Sequence, residues 1–178
     1  FQSYRYFENE FPELRSILHN PFEEQIRIDM KTIRTVYPQP IKYIGIHIRR
    51  TDYVQHSATH LNLGLDYYER ALATFSGAQY HFFVFSDDIE WCKEQPLFRE
   101  LDSVDYHGLE LDEVYTMFWL ASLDGLIIAN SSFSWWAAYL NTNQDAVIVA
   151  PDRWFGEGGT TYDIDDILPP QWTRISAV

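Results

Sequence analysis

The sequence predicts an α/β fold, a Rossmann-like parallel sheet flanked by helices. Two observations carry this expectation. Segments of helical period alternate with short runs rich in β-branched and aromatic residues, and such alternation builds parallel strands joined by crossover helices. The apolar runs also end abruptly in polar residues. IKYIGIHI runs into Arg49, Arg50 and Asp52, YHFFVF into Ser86, Asp87 and Asp88, and LIIA into Asn130, Ser131 and Ser132. In an open parallel sheet the C-terminal strand ends share one edge, and ligands bind there.

The 178 residues suit one domain with a sizeable core. A hydrophobic fraction of 46% with 17% aromatics argues against disorder. The net charge of −13 argues against a nucleic-acid or anionic-membrane binder. Against that background an Arg-Arg pair is a local feature. One cysteine, Cys92, permits no internal disulfide and fits a reducing compartment or a fold that needs no staples. No apolar run reaches the roughly 18–20 residues that span a bilayer. The chain opens on Phe1 in mid-pattern, as a piece of a longer protein would.

Residues 1–40 read as a helical segment and residues 41–178 as the Rossmann-like unit. Pro12 suits the first turn of a short helix to Leu18. Asn20 and Pro21 read as cap and first turn of the next helix, with Phe22, Ile26, Met30 and Ile33 on one face, stopped by Tyr37 and Pro38. The first strand follows at about 42–48. Residues 51–64 show no period and are expected to form a loop. Leu65, Tyr68, Leu72 and Phe75 mark a helix closed by Ser76 and Gly77. A second strand at 80–85, a short helix at 89–94 and a third strand within 101–107 come next. Asp112 caps a helix over 113–122. A strand at 126–129, a helix through WWAAYLN, a strand at 146–150 and a tail of loop and short helix complete the order.

The three polar strand ends can do chemistry together. Arg49 and Arg50 offer charge-assisted bonds to phosphate. Strand alternation sends them to opposite sides, so that one meets a ligand and the other packs or pairs. Asp87 and Asp88 can accept from ribose hydroxyls or base N–H groups. The NSSFS turn opens a helix, whose free N–H groups and dipole suit an anion, and Ser131, Ser132 and Ser134 add hydroxyls. Each end also has a plain structural use. Arg-Arg-x-Asp can be a surface ion pair, Asp87-Asp88 a helix cap, NSSFS an N-cap, and His47 a satisfied core histidine. Trp135 and Trp136 read as core. The two aspartates could hold a divalent cation, although a spaced DxD partner is missing. Three such ends on one edge fit a diphosphate site. No G-x-G-x-x-G or Walker loop is present, which disfavours dehydrogenases and P-loop NTPases.

IGIHIRRTDYV resembles the first motif of the alpha-1,2-fucosyltransferases, FFVFSDDIEWCK their second and IIANSSFSWWAAYLN their third. FQSYRYF and APDRWF also fit, so the likeness covers most of residues 1–155. Thr51 and Ala137 stand where the family usually has glycine. The resemblance implies a GT-B type enzyme, of which this chain is the C-terminal donor-binding part, with the N-terminal acceptor domain largely absent. It implies transfer of L-fucose from GDP-fucose to the 2-hydroxyl of a terminal galactose in a glycan, with inversion and without a metal or other cofactor. Carried over by position, Arg50 would hold the diphosphate with Arg49 nearby. His47 would approach the nucleotide or sugar, and Asp87 or Asp88 would recognise guanine or ribose. Asn130, Ser131, Ser132 and Ser134 would line the phosphate side, and His47 and Asp52 are the bases available. The alternative is a GDP-sugar-binding module without catalysis. The expected location is cytoplasmic or peripheral to the inner membrane in a bacterium, or the Golgi in a eukaryote.

Overall fold

The computed structural model describes residues 3–6, 9, 13–14, 17–38, 40–56, 60–108, 110–156 and 163–178. After a single 3-10 turn at Tyr4–Tyr6 the elements are α1 (Glu23–Val36), β1 (Lys42–Ile48), α2 (Thr51–Gln55), α3 (Leu65–Leu72), β2 (Tyr80–Ser86), α4 (Ile89–Glu94), α5 (Pro96–Arg99), β3 (Val104–His107), α6 (Glu113–Leu120), β4 (Gly125–Ile127), α7 (Ser132–Tyr139), β5 (Val147–Pro151), α8 (Ile164–Ile167) and β6 (Thr173–Ile175). The six strands form one sheet in the order β3-β2-β1-β4-β5-β6, and every pairing is parallel. The fold is therefore the expected Rossmann-like α/β sheet. Its order reverses between β1 and β4, the point at which such sheets open a crevice.

Helices cover both faces, so the inner strands bury both sides and read as continuous apolar runs. On one face Tyr43, Phe83, Phe85 and Leu126 pack with Ile26 and Met30 of α1, Trp119 and Leu120 of α6 and Trp135 of α7. On the other, Ile44, Ile46, Ile48 and Val84 pack with Tyr67, Tyr68 and Ala71 of α3 and with Cys92 and Phe98. Gly45 faces α6 at a close approach. A Cβ there would lie 2.6 Å from Leu120 Cδ2 of α6 and 2.7 Å from Leu126 Cδ2 of β4, so any larger residue would have to push buried leucines aside. Among the described residues no helix is long and apolar enough to cross a membrane.

Most expected elements are present, with ends shifted by a few residues, and four points differ. Residues 51–55 form the helical turn α2 instead of a loop. Its first N–H groups are satisfied from across the sheet, where the Asp87 carboxylate accepts from the backbone N–H of Arg50 (2.9 Å) and Thr51 (3.1 Å). α1 begins at Glu23, two residues later than read, because the Asn20 side chain accepts from Phe22 N–H and forms a turn ahead of the helix. Pro96 opens the extra helical turn α5. The tail adds a strand, β6, which extends the sheet beside β5. The helix read from Pro12 to Leu18 falls partly outside the described residues.

Candidate functional site at the C-terminal edge

β1 is buried from Tyr43 to Ile48 and delivers His47 and then Arg49 to the C-terminal edge of the sheet. β2 brings Ser86 and Asp87 beside them, since His47 pairs with Phe85 and Ile48 with Ser86. Across the reversal, β4 leads to Ser131 and Ser132 at the start of α7. On the far side, β3 leads to Gly108 and the start of α6. These ends enclose a cavity of about 380 Å³, lined among others by His47, Arg49, Asp52, Asp87, Ser131, Ser132, Glu113 and Thr116.

His47 is 7% exposed, and its Nδ1 has no hydrogen-bond partner. Burial pushes its pKa down to about 4, against the opposing pull of Asp87, so the ring is neutral at pH 7. Its ring lies 5.1 Å from that of Phe133, another cavity residue. Arg49 donates from Nε to Asp52 at 2.9 Å and places Nη1 3.4 Å from Asp87. Among the described residues nothing occupies its Nη2, so donors remain for an incoming anion. The bond from Arg49 pulls the Asp52 carboxyl below its usual range.

The two arginines part as strand alternation expects. Arg49 lines the cavity. Arg50 turns away, its guanidinium 3.5 Å above the Trp91 ring and its Nε 3.1 Å from Asp88. Asp87 lines the cavity with its carboxylate occupied by the β1–α2 turn, which includes the Thr51 hydroxyl. Asp88 is held by Arg50 outside the cavity lining. Ser131 and Ser132 reach the cavity, and the Ser131 hydroxyl makes no capping bond to α7. Ser134 is buried and donates to the Ala129 (3.1 Å) and Ser131 (3.3 Å) carbonyls. Asn130 donates to the Leu61 (3.0 Å) and Trp154 (2.7 Å) carbonyls, tying three loops together.

Sequence reasoning missed the β3 side of the cavity, namely Gly108, Leu111, Glu113 and Thr116. The signal was topological, since a loop after a parallel strand must lie on the ligand edge. It also missed Tyr53 and His60, whose rings stack at 4.6 Å while Tyr53 donates to the Asn130 carbonyl. These two residues and Ser132 also line a second cavity of about 690 Å³ with Tyr6, Trp154, Phe155 and Asp166. The two cavities thus share a wall of Tyr53, His60 and Ser132. Among the described residues no group of three or more His, Cys, Asp or Glu side chains is placed to hold a metal ion.

Comparison with known proteins agrees with this architecture. Residues 1–176 match the family described as glycosyl transferase family 11. The alpha-1,2-colitosyltransferase of Escherichia coli is 34% identical over 98% of this chain and 60% of its own length. The O-antigen biosynthesis glycosyltransferase WbnK of the same organism is 33% identical over 71% of this chain and 44% of its own length. The mouse galactoside 2-alpha-L-fucosyltransferase Sec1 is 28% identical over 90% of this chain and 45% of its own length. The chain therefore spans about half the length of the curated relatives it matches. No solved structure matches it significantly. The parallel sheet, the crevice at its reversal and the match along nearly the whole chain place this protein in glycosyl transferase family 11.

Proposed function

We propose that this chain is the donor-binding part of a transferase that moves L-fucose from GDP-fucose to the 2-hydroxyl of a terminal galactose, inverting the anomeric centre. The observation that carries this reading is the cavity at the β1/β4 reversal. There Arg49, the free start of α7 and the unpartnered Nδ1 of His47 converge. As GDP departs, negative charge grows on the β-phosphate and the sugar carbon gains oxocarbenium character. Fixed donors at the phosphate stabilise that state more than the ground state. Arg49, Ser131, Ser132 and the α7 N–H groups supply such donors, and the reaction so drawn requires no metal. Arg50 and Asp88 support the turn from behind, while Ser134 and Asn130 hold the loops in place.

His47 and Asp52 are the groups positioned to take the acceptor proton. Neither is a strong base, since burial holds His47 near 4 and Arg49 holds Asp52 below its usual range. Either acts best late, when bonding to the sugar carbon has made the hydroxyl acidic.

Calorimetry with GDP, GDP-fucose and GDP-mannose, with and without magnesium, tests the proposal alongside transfer to lactose. GDP and GDP-fucose should bind equally well with or without the metal, and GDP-fucose more tightly than GDP-mannose. A chain that binds no GDP overturns the reading. Binding without transfer favours a second reading, a GDP-sugar-binding module.

A further inference from the structure

Three carboxylates line the first cavity: Asp52, Asp87 and Glu113. Two are committed. Asp52 accepts from Arg49, and Asp87 accepts from the backbone of Arg50 and Thr51. Glu113 differs from both. It is exposed at the first position of α6, and among the described residues no hydrogen bond or ion pair occupies its carboxylate. An acid in the first turn suits the helix dipole, but that preference does not require a place in the cavity wall.

The order of the strand ends gives this free carboxylate a direction. The cavity runs from Ser131 and Ser132 after β4, past Arg49 after β1 and Asp87 after β2, to Gly108 after β3. At about 4.8 Å per strand this is roughly 14 Å from β4 to β3. A diphosphate held by Arg49 and the start of α7 lies at the β4–β1 end. The second cavity opens on that same side, behind Tyr53, His60 and Ser132, and has room for a sugar. The nucleoside then extends the other way, towards β3 and α6, where Leu111 and Phe85 offer apolar walls.

Building on the GDP-sugar reading, we infer that Glu113 is the specificity-determining residue for the base, its two oxygens accepting guanine N1–H and N2–H. A carboxylate only accepts hydrogen bonds. Guanine presents two adjacent donors on that edge. Adenine presents an acceptor at N1, and uracil flanks its single N–H with two carbonyls. Paired, charge-assisted bonds from one carboxylate therefore select guanine. Asp87 and Asp88 cannot do this without releasing the β1–α2 turn or Arg50.

The test compares GDP, inosine diphosphate and UDP by calorimetry on the wild-type chain and on Glu113→Gln. Inosine diphosphate lacks only the N2 amino group. The wild type should prefer GDP to inosine diphosphate and both to UDP. Glu113→Gln should lose at least about tenfold in GDP affinity. Its ratio of GDP to inosine diphosphate affinity should fall towards one, with an unchanged thermal midpoint. A variant that keeps the wild-type preference for GDP overturns the role of Glu113 and leaves the GDP-sugar reading standing. A wild type that does not distinguish GDP from UDP overturns both.

Discussion

Two buried histidines stand at opposite ends of the sheet, and the fold treats them differently. His81, near the start of β2, has both ring nitrogens engaged, Nδ1 with Ser103 Oγ at 2.6 Å and Nε2 with Asp105 at 3.1 Å. Tyr37 stacks on its ring at 3.7 Å. His47, at the far end of β1, is almost as buried but keeps Nδ1 without a partner. A buried polar group left unpaired costs about 1–3 kcal/mol. At His81 the sheet avoids that cost. It carries the cost at the edge where Arg49 and Ser131 also keep donors in reserve. Between these two histidines the difference is satisfaction, not burial or residue type; Tyr106 Oη and His107 Nε2 on β3 are the other buried side-chain atoms left unpaired among the described residues.

The largest expected effect is an acid sensitivity seated at His47. In the unfolded chain a histidine titrates near 6.5, whereas in the fold His47 stays neutral down to about 4. Between those values the unfolded state binds more protons, so stability rises with pH across the window and is lost as pH falls from about 6.5 to 4. The loss attributable to His47 is on the order of 3 kcal/mol. His81 is shifted the same way, by burial against the pull of Asp105, and adds to the slope. Denaturant midpoints of wild type and His47→Gln between pH 4 and 7 would show it. The variant should lose much less stability on acidification, and equal slopes would end the contrast between the two histidines.

Next in size is Arg49→Ala. It removes the cation of the cavity and should weaken GDP by about 2–3 kcal/mol, roughly 50-fold. Thermal stability should change little, because Asp87 keeps its bonds from the Arg50 and Thr51 N–H groups and the Asp52 carboxylate is exposed enough to be solvated. At the other end of the sheet, Asp105→Asn should do the reverse. It weakens the charged partner of His81 and the acceptor of the Tyr37 hydroxyl, costing about 1 kcal/mol of stability. Calorimetric GDP affinity should stay unchanged. If Asp105→Asn weakened GDP as much as Arg49→Ala, the two edges would not be independent.

The sheet was legible in sequence where local chemistry decided it. β1 could be read as it stands, because KYIGIHI is a continuous β-branched and aromatic run buried on both faces. α2 was not legible, because its start is satisfied by Asp87, 36 residues along the chain. β6 was hidden because three residues carry no period and gain their strand identity from pairing with β5. At the site, alternation said that the two arginines would part, and only the position of Trp91 decided which one packs. Glu113 was concealed by its neighbour, since an Asp112 cap followed by an acid reads fully as a helix start.

That division of the arginines supplies the smallest expected effect and the finest test. Arg50 is exchangeable for ligand purposes only if its work is done on Trp91 and Asp88. A partly exposed cation–π contact and a partly exposed ion pair are each worth about 0.5–1 kcal/mol. Arg50→Ala should therefore lower stability by roughly 1 kcal/mol. A domain of this size would then melt about 2–4 °C lower. GDP affinity should fall far less than in Arg49→Ala, because the Arg50 backbone N–H that Asp87 holds survives the substitution. Arg50→Lys keeps the charge but not the flat guanidinium face, so it should recover only part of the lost stability. If Arg50→Ala instead abolished GDP binding while leaving the melting temperature untouched, the diphosphate would belong to Arg50. The guanidinium would then have to leave Trp91 when the ligand arrives.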